Sequence, residues 1–181
     1  MDYRTKPLKR EQIREIASFV RTNIFKCKNK YYFDVIKALE LMPHKFNNVT
    51  FEIVDDNDPD LEDVPATTIP DLNGNYLIKI KESVYEGAYF RKVGGYRNHI
   101  MHEISHCILF ILGFFPHIDV AYGNRDLKPY ESVEWQAKAL AGEILIPYEA
   151  TRGMDYKAIK KRCKVSEDAA RNRLKIWKDN K

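Results

Sequence analysis

Apolar residues recur along the first forty residues at the spacing of two amphipathic helices. Between Lys9 and Phe25 the apolar positions are three or four residues apart, with charged residues between them, so that one helical face is apolar. The same spacing covers Tyr32 to Leu41, and Pro43 is expected to end that second helix. Both helices are predicted to be scaffold elements.

Three short segments that follow have the composition of β-strands. Val49–Val54 alternates and is rich in β-branched and aromatic residues, and Ala66–Ile69 and Tyr76–Ile80 come after it. The dipeptide Asn73-Gly74 separates the last two segments and is typical of a tight hairpin turn. The sequence therefore predicts a small antiparallel sheet of about three strands.

Two helices in the second half of the chain are more apolar. The first is predicted from about Arg97 to Leu112, with Gly113 at the position favoured for a helix C-cap. The second is predicted over Glu131–Ile146, and its several alanines indicate close approach to another helix. Together with the preceding strands, these helices predict a mostly helical α+β fold.

The C-terminal residues differ from the rest in charge. Residues 151–181 contain 11 Lys and Arg against 4 Asp and Glu, and a helix over Asp155–Arg162 is followed by Ser166, a good N-cap for another helix. We expect residues 1–150 to form one domain and residues 151–181 a basic helical tail similar to a helix-turn-helix. Packing of this pair against the domain is favoured over direct contact with DNA.

The composition is that of a globular protein, with 44% hydrophobic and 31% charged residues. The longest purely apolar stretch is too short to span a membrane, and the polar start does not resemble a signal peptide. The three cysteines have no CxxC spacing, which fits a reducing compartment. We therefore expect a cytoplasmic protein with no membrane partner.

The most informative segment is His102-Glu103-Ile104-Ser105-His106, which lies on the first apolar helix. Histidines at positions i and i+4 share one helical face and are able to chelate one zinc ion. Two histidines and a glutamate without polar partners would destabilise a helix that is otherwise built for the core. Binding of a metal ion would give these side chains a partner. The segment therefore predicts a metallopeptidase centre with Glu103 as its general base.

A catalytic zinc needs a third protein ligand. The extended motif HExxHxxGxxH is excluded because positions 109 and 112 are both Leu. Glu134, at the start of the next helix, is the favoured third ligand, and Glu131 is the alternative. Weaker candidates lie in the connecting segment: His117 and Asp119.

In such a centre zinc polarises the carbonyl of the peptide bond, and the glutamate takes up a proton from the attacking water. The reaction also needs a hydrogen-bond donor for the oxyanion. The candidates for this donor, or for substrate contact, are Tyr130, Tyr122 and His117. Zn²⁺ is the expected ion, with Mn²⁺ as the alternative because carboxylate-containing sites accept several divalent metals.

The two helical motifs together resemble the ImmA/IrrE-type metallopeptidases. In that family a HELGH-like helix is followed by a helix of the form ExEANxFAxxLLxP. Here His102-Glu-Ile-Ser-His106 is followed by Glu134-Trp-Gln-Ala-Lys-Ala-Leu-Ala-Gly-Glu-Ile-Leu-Ile-Pro147, which aligns with the second motif without a gap. Ser105 replaces the usual Gly, and Lys138 replaces an Asn that would contact a zinc-ligating histidine.

The resemblance implies a gluzincin-like site with His102, His106 and Glu134 as ligands and Glu103 as general base. It also implies a regulatory substrate, a helix-turn-helix repressor of a mobile element or of a stress response. Two other functions remain open. One is a non-catalytic antirepressor that the metal stabilises, and the other is a DNA-binding protein that uses its basic tail.

Overall fold

The computed structural model describes residues 2–116 and 127–179, which contain three strands and a larger number of helices. The strands are β1 (Val49–Val54), β2 (Ala66–Pro70) and β3 (Tyr76–Lys81). The helices are α1 (Arg10–Phe19), α2 (Val35–Lys45), α3 (Glu82–Tyr89), α4 (Gly94–Ile111), α5 (Val133–Leu145), α6 (Tyr148–Thr151), α7 (Tyr156–Cys163) and α8 (Glu167–Asp179). Helix α1 continues into a π-helical turn over Val20–Ile24. The predicted α+β class is confirmed.

The sheet is mixed, so the prediction of an antiparallel sheet is wrong for one of its two pairings. The strand order is β1-β3-β2. Strands β2 and β3 form the predicted antiparallel hairpin, with Gly74 at φ +80° in its turn. Strand β1 pairs with β3 in parallel, because β3 inserts between β1 and β2. Apolar alternation identifies a strand but carries no information on the direction of its neighbour.

The bounds of α2 and α4 differ from the prediction by up to four residues. Pro43 lies inside α2, which continues to Lys45. A proline in the last turn removes one backbone hydrogen bond, and the Phe46 N–H still donates to the Met42 carbonyl at 2.9 Å, so the turn persists. Helix α4 begins at Gly94, three residues before the predicted start.

Helix α4 forms the centre of the core. Its residues Ile100, Ile104 and Ile108 are almost completely buried, and it packs against α5, β2, α2 and α3. Helix α5 in turn packs against α1, and the small residues Ala137 and Ala141 on α5 are buried. The predicted close approach of α5 to another helix is confirmed.

The two C-terminal helices pack on the rest of the molecule. The buried Arg97 side chain of α4 donates to the Cys163 carbonyl at 2.9 Å and to the Phe33 carbonyl at 2.6 Å. At Gly94 an added Cβ would lie 2.3 Å from the backbone N of Ser166. Ser166 caps α8 by accepting a hydrogen bond from the Ala169 N–H. The predicted helical pair is thus present, while the division of the chain at residue 150 stays a prediction.

Candidate metal centre

Helix α4 presents two imidazoles one turn apart. The rings of His102 and His106 pack edge to face with their centroids 4.5 Å apart, and their Nε2 atoms are separated by 3.1 Å. Gly113, at φ +85°, follows the end of the helix in the left-handed conformation that its sequence position predicts. The regular helix thus aims both ring nitrogens at one point.

Helix α5 brings Glu134 to the same point. Ser132 caps this helix by accepting a hydrogen bond from the Trp135 N–H at 2.8 Å, and Asp2 accepts one from the Glu134 N–H at 3.2 Å. Glu134 Oε2 lies 3.3 Å from His102 Nε2, and Glu134 Oε1 lies 3.3 Å from His106 Nε2. Close contact with the two imidazoles strongly lowers the pKa of Glu134, so the carboxylate is ionised.

The three side chains have the geometry that a tetrahedral metal site requires. One ligand atom from each lies within 4.8 Å of the others, and the nearest contacts between them are 3.1–3.3 Å. Zinc–ligand bonds of about 2.0–2.1 Å arranged tetrahedrally separate neighbouring ligand atoms by about 3.3 Å. The Glu134 side chain is 38% exposed, so one side of the group faces solvent. Two imidazoles and a carboxylate are therefore able to hold one divalent cation and leave room for water.

Glu103 lies beside this group and is held by a strand residue. Its side chain is almost entirely buried, its Oε1 lies 4.0 Å from His102 Nε2, and its Oε2 accepts a hydrogen bond from Thr68 Oγ1 at 2.9 Å. Burial raises the pKa of Glu103, while His102 and the Thr68 hydrogen bond oppose that shift. Thr68 was not among the residues predicted from the sequence, because a threonine in an alternating strand gives no sign of which helix it will contact.

Lys138 contacts the glutamate of the group and not a histidine. Its Nζ lies 3.6 Å from Glu134 Oε2. The buried His102 Nδ1 has no hydrogen-bond partner among residues 2–116 and 127–179. Lys138, at the position where the family motif has Asn, therefore forms an ion pair with the carboxylate.

The remaining predicted site residues do not join this group within the described structure. Glu131 lies in a 3₁₀ turn, and its carboxylate is 3.8 Å from the Arg4 guanidinium. Tyr130, in the same turn, is 36% exposed and accepts a backbone hydrogen bond from Leu8. Three candidates lie outside the described residues: His117, Asp119 and Tyr122.

The α4–α8 region is similar in sequence to a known protein family. Residues 93–175 match the profile of Peptidase_M78, the IrrE N-terminal-like domain. This part of the chain is similar to an IrrE N-terminal-like domain. The match includes both histidines, Glu103 and Glu134, and the predicted resemblance is confirmed. No curated protein matches the chain significantly.

A solved structure shares the fold across most of the chain. It is described as a Mycobacterium tuberculosis transcriptional regulator, and the TM-score is 0.54 at 17% sequence identity. The similarity covers 91% of the present chain and 46% of that one, so the present chain spans about half of that protein. Within residues 2–116 and 127–179, no helix has the length and apolar character needed to cross a membrane.

Proposed function

We propose that this protein is a zinc-dependent endopeptidase that hydrolyses a peptide bond in a regulatory protein. The observation that carries the proposal is the convergence of His102, His106 and Glu134 beside the buried carboxylate of Glu103. The match to a peptidase family supports the same reaction. Cytoplasmic location remains part of this proposal.

The roles follow from the position of each side chain. His102, His106 and Glu134 would hold the ion, with zinc as the proposed metal and manganese as the alternative. When bound, zinc acts as a Lewis acid and lowers the pKa of a coordinated water. Glu103 Oε1 lies 4.0 Å from His102 Nε2, and Glu103 Oε2 accepts a hydrogen bond from Thr68. In this proposal Glu103 accepts a proton from water and returns it to the leaving amine.

The open edge of the sheet is the proposed path for the substrate. Strand β2 ends the described sheet on the side of α4. The Pro65 carbonyl accepts a hydrogen bond from Lys81 N–H, so alternation turns the backbone groups of Ala66 and Thr68 away from β3. An extended peptide that pairs with this edge would pass next to Glu103.

Hydrogen exchange tests this path. Binding of substrate to a Glu103→Gln variant is expected to slow exchange of the outward amides of β2. Exchange rates in β2 that do not change on binding would contradict pairing at this edge.

The proposed substrate class is a helix-turn-helix repressor. Support comes from the IrrE-like family and from the structural neighbour described as a transcriptional regulator. The second candidate function is a non-catalytic antirepressor in which the same side chains hold a stabilising metal. A third is DNA binding by the basic helices α7 and α8, whose lysines include Lys157, Lys160 and Lys161.

Glu103→Gln separates the first two functions. The variant keeps the three proposed ligands, so it is expected to bind metal as wild type does but to leave the repressor uncut. The measurements are metal content by mass spectrometry and repressor length by gel. If the variant still inactivates the repressor completely, the antirepressor function is correct and the endopeptidase function is wrong.

A further inference from the structure

Four charged side chains outside the proposed ligand set meet where α1, α5 and α8 pack together. Glu143 Oε1 lies 2.8 Å from Arg173, 3.5 Å from Arg10 and 3.6 Å from Arg14. Glu143 and Arg173 are each only 2% exposed. One carboxylate therefore faces three guanidinium groups, which leaves a surplus of two positive charges in a poorly hydrated place.

Several donors in this arginine cluster lack acceptors. Arg14 Nε, Arg14 Nη2 and Arg173 Nε are buried and have no hydrogen-bond partner among residues 2–116 and 127–179, and the acceptor Glu143 Oε2 is likewise unpaired there. The Arg14 guanidinium packs over the Tyr148 ring, 3.6 Å from its centroid, so Arg173 is the member with an unpaired donor that also lines the cavity described next. Burial lowers the pKa of Arg10, and the guanidinium groups of Arg173 and Arg14 add to that effect against the opposing Glu143. An additional negative charge nearby would stabilise the cluster.

A cavity of about 430 Å³ opens beside the cluster. Arg10 and Arg173 line it, and Lys138 adds a third positive charge to its wall, against one carboxylate from Asp168. The amide side chain of Asn172 also lines the cavity. The positive charge and N–H donors of this part of the wall suit an oxyanion, because the N–H groups of arginine are arranged to bind a phosphate or a carboxylate.

The rest of the cavity wall is apolar. Trp135, Leu145, Ile146 and Val165 line this part. A cavity of this volume is within the range that small organic ligands occupy. A ligand with a charged head and an apolar body would therefore contact both kinds of surface.

We propose that the cavity between α1, α5 and α8 binds a small organic anion whose phosphate or carboxylate group pairs with Arg10 and Lys138. The anion supplies the negative charge that the arginine cluster lacks. Because Lys138 also contacts Glu134, the bound anion lies next to the candidate metal centre. The proposal concerns binding alone and does not depend on the peptidase function.

Isothermal titration calorimetry of the full chain tests the proposal with three probes: inorganic phosphate, phenyl phosphate and benzoate. A chelator removes metal beforehand, so that phosphate held by a metal ion does not contribute. We expect saturable binding at one site per chain, with phenyl phosphate or benzoate binding more tightly than inorganic phosphate. The preferred head group identifies the ligand class.

Two variants and a matched control locate the site. Arg10→Gln removes a partly exposed charge from the wall and is expected to weaken binding roughly tenfold. Asn172→Asp adds a negative charge at an exposed position of the wall and is expected to abolish binding without altering the arginine cluster. Lys157→Gln removes an exposed charge that does not line the cavity and is expected to bind as wild type.

Two results would overturn the proposal. One is the absence of saturable binding for all three probes. The other is an equal loss of affinity in Arg10→Gln and Lys157→Gln, which would show general charge attraction instead of a site. Both results leave the peptidase proposal unaffected, since they do not involve Glu103 or the metal ligands.

Discussion

Replacement of Glu134 by alanine should remove most of the stabilisation that zinc gives to the fold. Glu134 contacts both histidines at 3.3 Å and supplies the only carboxylate among the three proposed ligands. A ligand that binds only the native state stabilises it by RT ln(1 + [L]/Kd). At zinc concentrations 100 times the wild-type Kd, this is about 2.7 kcal/mol.

The expected shifts in melting temperature follow from this free energy. For a chain of this size 1 kcal/mol corresponds to about 2–4 °C, so zinc should raise the wild-type Tm by about 5–11 °C. Loss of a contact outside the ligand set typically lowers metal affinity by about 10–100-fold, and loss of a ligand should reach at least the upper value. In Glu134→Ala the same zinc concentration then equals Kd, and stabilisation falls to about 0.4 kcal/mol, or 1–2 °C.

Glu131→Ala is the matched control. It removes the same type of side chain three residues earlier, and that side chain pairs with Arg4 instead of the histidines. Differential scanning fluorimetry with and without zinc, together with metal analysis, gives the two shifts. A full zinc shift in Glu134→Ala with a lost shift in Glu131→Ala would refute the assignment of the third ligand.

Three further substitutions have defined outcomes. Thr68→Val leaves Glu103 Oε2 without its donor, so kcat for repressor cleavage should fall roughly tenfold with zinc binding unchanged, and Thr68→Ser should restore it. Arg173→Met removes the closest partner of the buried Glu143 and should lower the free energy of unfolding, measured in urea, by about 3 kcal/mol. This is the lower end of the range for a broken buried ion pair, because Arg10 and Arg14 still face Glu143. Gly94→Ala forces a Cβ against the turn before α8 and should lower that free energy by about 1–3 kcal/mol.

The part of the candidate site that rests on local geometry was predictable from the sequence. His102 and His106 face the same way in any regular helix, and the helix itself followed from its apolar stripe and from Gly113. Glu134 was predictable only as one of several candidates, because its role depends on how α5 packs against α4. Its position at the start of a helix with small side chains favoured it over Glu131, and the resemblance to a family motif supported the same choice.

The parts that sequence reasoning missed depend on contacts between distant segments. The hydrogen bond from Thr68 to Glu103 joins residues 35 positions apart. The parallel pairing of β1 with β3 depends on where the hairpin inserts. The surplus of arginines around Glu143 likewise becomes visible only when α1, α5 and α8 are brought together, since none of these residues has an unusual local pattern.

The packing distance between α4 and α5 determines the geometry of the candidate metal centre. The two histidines are on α4 and the proposed third ligand is on α5, so the spacing of the helices determines whether the three donor atoms surround one point. Ala137, one turn after Glu134, is completely buried, and Ala141 follows at the next turn. Side chains this small allow the helix axes to approach closely. Ala137 and Ala141 therefore help to set the distance between Glu134 and the two histidines, although neither alanine belongs to the proposed ligand set.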